Sequence, residues 1–122
     1  MQDSFLVHFN EYVGKLNAVL QGFQHLKEIE LLVNSLRIAW QKKQQVFLCG
    51  NGGSAGNAIH LANDFNYGIA KQNGIGLRIE ALPANSSVIT CLANDEGYEN
   101  IFSQQLKVKA NKDDVLLVLS GS

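Results

Sequence analysis

The 122-residue chain predicts an α/β protein: a three-layer parallel sheet preceded by two N-terminal helices. Three observations predict it. Residues 3–42 carry apolar side chains at helical spacing, short continuous apolar runs alternate with helical stretches from Gln44 onward, and two of those runs end in bends rich in Gly and Ser. A continuous apolar run marks a strand buried on both faces. Strand–helix alternation implies right-handed crossovers and parallel strands.

In the first predicted helix Phe5, Phe9, Tyr12, Leu16, Val19 and Phe23 recur every three or four residues, and Leu6, Val13 and Leu20 widen the stripe. Gly14 costs roughly 1 kcal/mol relative to Ala in a helix and marks a close helix–helix approach. A second helix runs from Leu26 to Gln41, with Ile29, Leu32, Val33, Leu36, Ala39 and Trp40 on its apolar face. Two such helices cannot bury these faces alone. Residues 1–43 are therefore expected to form a helical region for packing and oligomerisation, and residues 44–122 the N-terminal part of an α/β domain.

Val46-Phe47-Leu48-Cys49 is the first strand, ended by Gly50. Ser54 to Tyr67 reads as a helix with Ile59, Ala62 and Phe65 inward. Residues 76–82 form a second strand closed by Pro83. Asn85 or Ser86 caps a short helix through Ala93, Glu96 to Lys109 forms another, and residues 115–119 form a third buried strand. The chain stops at the C-terminal edge of that strand, before any helix that would cover it. A longer α/β protein, of which this is an incomplete portion, is the expectation.

Composition narrows the function. The chain is 46% hydrophobic and 17% charged, an ordinary globular balance. Ten Lys+Arg against eleven Asp+Glu give a net charge of -1, without the excess basic charge that nucleic-acid binding needs. No apolar run approaches the roughly 20 residues of a membrane span, and no signal peptide is visible. Cys49 and Cys91 are too few for a disulfide framework and read as free thiols of a reducing cytoplasm.

The chemistry concentrates beyond the strand ends. In an open α/β sheet, ligands bind outside the carboxyl ends of strands. The bend Gly50-Asn51-Gly52-Gly53-Ser54 lies there. Its glycines admit a ligand to the backbone, the following helix start offers N–H groups to an anion, and Ser54 adds a hydroxyl. It is neither the dinucleotide fingerprint nor the P-loop, whose terminal Lys is missing. Ser120-Gly121-Ser122 ends another parallel strand on the same edge, so the two bends could together surround a phosphate with donors and no cation. His60 and Asp64, at i and i+4, share a helix face. They could hold a divalent metal or simply hydrogen-bond to each other. Asn94 and Asp95 either cap the next helix or bond to sugar hydroxyls.

These segments together, Cys49 to Ser54, His60 to Asp64, Leu92 to Asp95 and Asp114 to Ser122, resemble the sugar isomerase (SIS) domain, a flavodoxin-like fold. Within it they resemble most the bacterial phosphoheptose isomerases. The resemblance implies a cytoplasmic homotetramer with active sites at subunit interfaces. It implies conversion of sedoheptulose 7-phosphate into a glycero-manno-heptose 7-phosphate, toward the heptose of lipopolysaccharide or other surface glycans. By the same similarity Asn51, Gly52, Gly53, Asn94 and Asp95 match substrate-contacting positions. Ser54, Ser120 and Ser122 match phosphate-binding hydroxyls with Gly121 between them, and His60 matches a zinc ligand. Asp64 stands where the family has a glutamate that is both metal ligand and general base, and is one methylene shorter. The family's remaining metal ligands, a Gln and a His, lie beyond Ser122. The other reading is a non-catalytic SIS module that binds a phosphosugar or scaffolds a protein partner.

Overall fold

A computed structural model describes residues 2–121; Met1 and Ser122 lie outside the described residues. The chain divides into two compact units, Met1–Val33 and Asn34–Ser122. The first holds helix α1, Gln2–Gln21, and the start of helix α2, Leu26–Lys42. The α1 stripe is laid out as its spacing requires, with Phe5 stacked on Phe9 at 6.2 Å. It is uncovered, however, from Phe5 to Phe23. Nothing lies within 4 Å of a Cβ built at Gly14, so the close approach expected there is absent from this unit.

The second unit is an α/β layer structure. Strands β1 (Val46–Cys49), β2 (Ile79–Ala81) and β3 (Val115–Val118) form a three-stranded sheet of order β2-β1-β3, parallel throughout. The central strand is buried at every residue, as its unbroken apolar run predicts. Val46 and Leu48 join one core cluster with Ala39 of α2 and Ala58 of helix α3, Gly53–Asn63. Phe47 and Cys49 join the other, with Leu82, against Phe102 and Leu106. Leu106 belongs to helix α6, Ser103–Lys109, so helices cover both faces of β1.

Several elements depart from expectation for local reasons. The helix after the glycine bend does not run on regularly to Tyr67. It changes at Asp64 into a π-helical turn, Asp64–Gly68, followed by helix α4, Ile69–Asn73. The helix expected from Glu96 is broken where Gly97 takes φ 91°, a left-handed backbone, and leaves a 3-10 turn at Tyr98–Asn100 before α6. Helix α5, Ser86–Asp95, is capped as predicted: Asn85 accepts from the Val88 N–H at 3.2 Å. β3 is not buried on both faces. It is an edge strand, and Leu116 and Val118 are exposed.

The entry to β3 is pinned to β1. The Asp114 carboxylate accepts from the Gln45 N–H (2.9 Å) and the Asn111 N–H (2.8 Å). Val115 N–H then donates to Gln45 C=O, and Leu119 N–H to Cys49 C=O, both at 2.9 Å. Register is thereby fixed from one end of the sheet to the other.

Candidate functional site

The sheet order puts β1 between a strand reached in one direction and a strand reached in the other. The crevice between the C-terminal ends of β1 and β3 is such a switch point, where open α/β sheets bind ligands. The turn after β1 is built to let that crevice form. A Cβ at Gly50 would stand 2.8 Å from both Leu119 O and Ser54 Cβ, so glycine is what allows the β1 turn and the end of β3 to touch. Gly52 has φ 53° and ψ -122°, a backbone region that glycine alone adopts without strain.

The turn directs Ser54 and Ala55 N–H to Asn51 C=O, and Ala55 and Gly56 N–H to Gly52 C=O. The N–H groups of Gly52 and Gly53 stay outside that ladder. Because Gly52 has no side chain, α3 starts without a side-chain cap. Uncapped N–H groups and the helix dipole favour an anion here.

A cleft of about 550 Å³ occupies the switch point, lined by Ser54, Asn57, His60 and Leu61 from α3 and by residues 118–121 at the end of β3. Ser54, His60, Ser120 and Gly121, picked from three separate sequence segments, therefore share one cavity. Asp64 stands beside it, its Oδ2 3.3 Å from His60 Nε2, and both side chains are exposed. Asn51 and Gly52 line a neighbouring cavity of about 240 Å³ with Pro83, Thr90 and Tyr98, so the glycine turn walls two clefts at once. Gly53 connects the two linings as the first residue of α3. Ser122 lies outside the described residues.

Asn57 was not singled out by sequence. It sits one turn from Ser54 and one from His60, so the same helical period that relates those two would have found it. A lone exposed Asn carries no other signal.

Asn94 and Asp95 are not brought to the cleft by this chain. They end α5, and their polar atoms are engaged locally: Asn94 Nδ2 donates to Asp95 Oδ1 at 2.7 Å, and Cys91 Sγ to Asp95 Oδ2 at 3.4 Å. These bonds, Asn94's first, hold the Asp95 carboxyl below its ordinary value. The hydrogen bond to Asp95, and then its negative charge, hold the Cys91 thiol above its own. Only the thiolate is alkylated. A raised thiol value means that the wild-type alkylation rate of Cys91 keeps climbing with pH beyond the ordinary thiol range. Asp95→Asn is expected to speed iodoacetamide labelling severalfold at pH 8 and to move the rise to lower pH. Equal rates in both proteins would show that the carboxylate does not act on the thiol. Burial raises Cys49 as well.

For a divalent metal the donor set is partial. Two ligands on a tetrahedral ion at about 2.0–2.1 Å stand about 3.3–3.4 Å apart, and the His60–Asp64 separation of 3.3 Å fits such a pair. No group of three or more His, Cys, Asp or Glu that could hold an ion occurs among the described residues. Among those residues, no helix is long and apolar enough to cross a membrane.

Comparison with known proteins gives the same direction. The SIS domain family matches residues 11–122. A phosphoheptose isomerase of Helicobacter pylori (strain P12) is 33% identical over the whole chain, which covers 60% of that relative. One from Aneurinibacillus thermoaerophilus is 31% identical, again over the whole chain and 61% of the relative. The structure of phosphoheptose isomerase GmhA from Neisseria gonorrhoeae superposes with a TM-score of 0.74 at 28% identity, over 99% of this chain and 61% of that one. A phosphoheptose isomerase structure from Francisella tularensis shares the fold at a TM-score of 0.82 and 23% identity, covering 99% of this chain and 62% of that one. The chain thus spans about three-fifths of the length of these relatives.

Proposed function

The chain belongs to the SIS domain family, and from that premise we propose that the protein is a phosphoheptose isomerase acting on sedoheptulose 7-phosphate. One observation carries the reading. Ser54, His60, Ser120 and Gly121 line a single cleft at the switch point of the sheet, with Asp64 paired to His60 at its side. That arrangement separates a phosphate grip from a reacting centre, as a sugar-phosphate isomerase needs.

In this reading the hydroxyls of Ser54, Ser120 and Ser122 and the free N–H groups at the start of α3 hold the phosphate dianion. Remote binding energy of this kind fixes the reacting carbons in place. Asn51, Gly52 and Gly53 bring backbone close to the sugar. Isomerisation moves a proton between adjacent carbons through an enediol. Asp64 takes the proton from one carbon and returns it to the next, while a second proton passes between the two oxygens. His60 and Asp64 supply two of the ligands for zinc. When bound, zinc polarises the carbonyl and stabilises the negative charge that develops on oxygen.

The proposal extends to assembly. The uncovered α1 stripe suits packing against other copies in a homotetramer. Asn94 and Asp95, which do not reach this chain's own cleft, then serve a site at a subunit interface. Cytoplasmic location and supply of heptose for lipopolysaccharide or another surface glycan complete the reading.

The test is turnover of sedoheptulose 7-phosphate, with and without a chelator. Product formation abolished by chelation and restored by zinc is expected. The pair Ser54→Ala and Ser120→Ala should raise KM by about tenfold or more, since each hydrogen bond to a charged group is worth about 1.5–3 kcal/mol. No product from the zinc-replete protein overturns the enzymatic reading. Retained sugar-phosphate binding in that case would favour a non-catalytic phosphosugar-binding module.

A further inference from the structure

We propose that Gly76 is a positioning residue for the Asp64 carboxylate, acting through the π-helical turn that begins at Asp64. The inference rests on the reading of His60 and Asp64 given above.

Asp64 is where the helix changes its pattern. Its N–H donates back to the carbonyls of His60 and Leu61, in the ordinary helical sense. Its own C=O accepts from Ile69 N–H, five residues on. Single π turns of this kind are rare and concentrate at functional sites. The next carbonyl, that of Phe65, is turned to the segment leading into β2 and accepts from Leu77 N–H at 3.0 Å. The Phe65 side chain packs on the core cluster that contains Val46, Leu48 and Leu77. The residue adjoining Asp64 is therefore anchored through both its backbone and its side chain.

That joint depends on a close approach. A Cβ at Gly76 would fall 1.9 Å from Asn66 O, 2.8 Å from Asn66 C and 3.3 Å from Ala70 Cβ. Gly76 is not among the residues with positive φ, so clearance, not backbone freedom, is what requires glycine there. Any side chain pushes the lead-in to β2 off the π turn and breaks the Leu77–Phe65 bond.

The Asp64 side chain itself is half exposed, and its partner is the still more exposed His60. A carboxylate held so loosely by its surroundings takes its position from its backbone. Misplacement by about 1 Å can cost about 10²-fold in rate.

Gly76→Ala should weaken zinc affinity, measured by competition with a chromophoric chelator, at least tenfold. It should lower kcat by about ten- to a hundredfold with KM nearly unchanged, and speed hydrogen exchange at the Leu77 amide. In an Asp64→Ala background the same change should alter neither zinc affinity nor kcat further, because a residue acting through Asp64 has nothing left to position. Faster Leu77 exchange with wild-type zinc affinity overturns the proposal, as does full additivity with Asp64→Ala. Should Gly76→Ala fail to fold, Phe65→Leu loosens the joint from the core side. It must then show the weakened zinc affinity, and wild-type affinity in that variant overturns the proposal. Loss of zinc affinity in Gly76→Ala, in a protein that turns over no sugar phosphate, supports the positioning role while refuting the enzymatic reading.

Discussion

Asp64→Asn is expected to lower kcat for sedoheptulose 7-phosphate by about 10²–10⁴-fold, the range that a positioned general base contributes. KM should change little, because the proposed phosphate grip is Ser54 and the end of β3, which line the cleft, while Asp64 does not line it. Zinc affinity should fall too, so the comparison is made at saturating zinc. Stability offers an internal control. The His60–Asp64 pair is exposed, and exposed ion pairs contribute about 0–1 kcal/mol, so the melting temperature should move by no more than a few degrees. A variant that keeps more than a tenth of the wild-type kcat at saturating zinc takes the base role away from Asp64.

Gly50→Ala should have a large effect on folding. The new Cβ would lie 2.8 Å from Leu119 O and Ser54 Cβ and 3.0 Å from Ser54 C. Two of these three are main-chain atoms, in segments held by the Leu119–Cys49 ladder bond and by the Ser54–Asn51 turn bond. Neither side can swing away as a flexible side chain could. Overpacking commonly costs about 1–3 kcal/mol, and rigid contacts on two sides put this site at about 3 kcal/mol or more. For a chain of this size that lowers the melting temperature by about 10 °C or more. Gly56→Ala is the comparison, since nothing lies within 4 Å of a Cβ there, and its helical position favours Ala by about 1 kcal/mol. If the two variants melt alike, the β1 turn and the end of β3 are not in the contact described.

Much of this was legible in the chain. β1 and its turn could be read because an apolar run that stops at glycine has few alternative explanations. Ser54 and Ser120 could be placed together because parallel strands present all their C-terminal ends on one edge. The π turn could not be read. Its cause is a main-chain bond from Leu77 and a clearance at Gly76, and neither changes the apolar spacing through Phe65. The break at Gly97 was signalled by the glycine itself, which the helical pattern on either side outweighed. Burial of β3 was overestimated because an apolar run records which faces suit a core, whereas exposure at Leu116 and Val118 depends on which elements cover an edge. Asn94 and Asp95 show a similar limit: their positions in sequence suggest ligand contact, but their geometry in a single chain is that of a locally bonded helix end.

Asp114 has a consequence out of proportion to its place, at the end of the sheet away from any ligand. Strand side chains alternate faces, so a slip of one residue exchanges inside for outside along the whole strand. By clamping Gln45, just before β1, and Asn111, just before β3, this carboxylate works as the zero mark of a ruler whose far graduation is Ser120. Inheritable changes that leave the proposed phosphate grip untouched but loosen that mark would misalign Ser120 from a distance of one strand length.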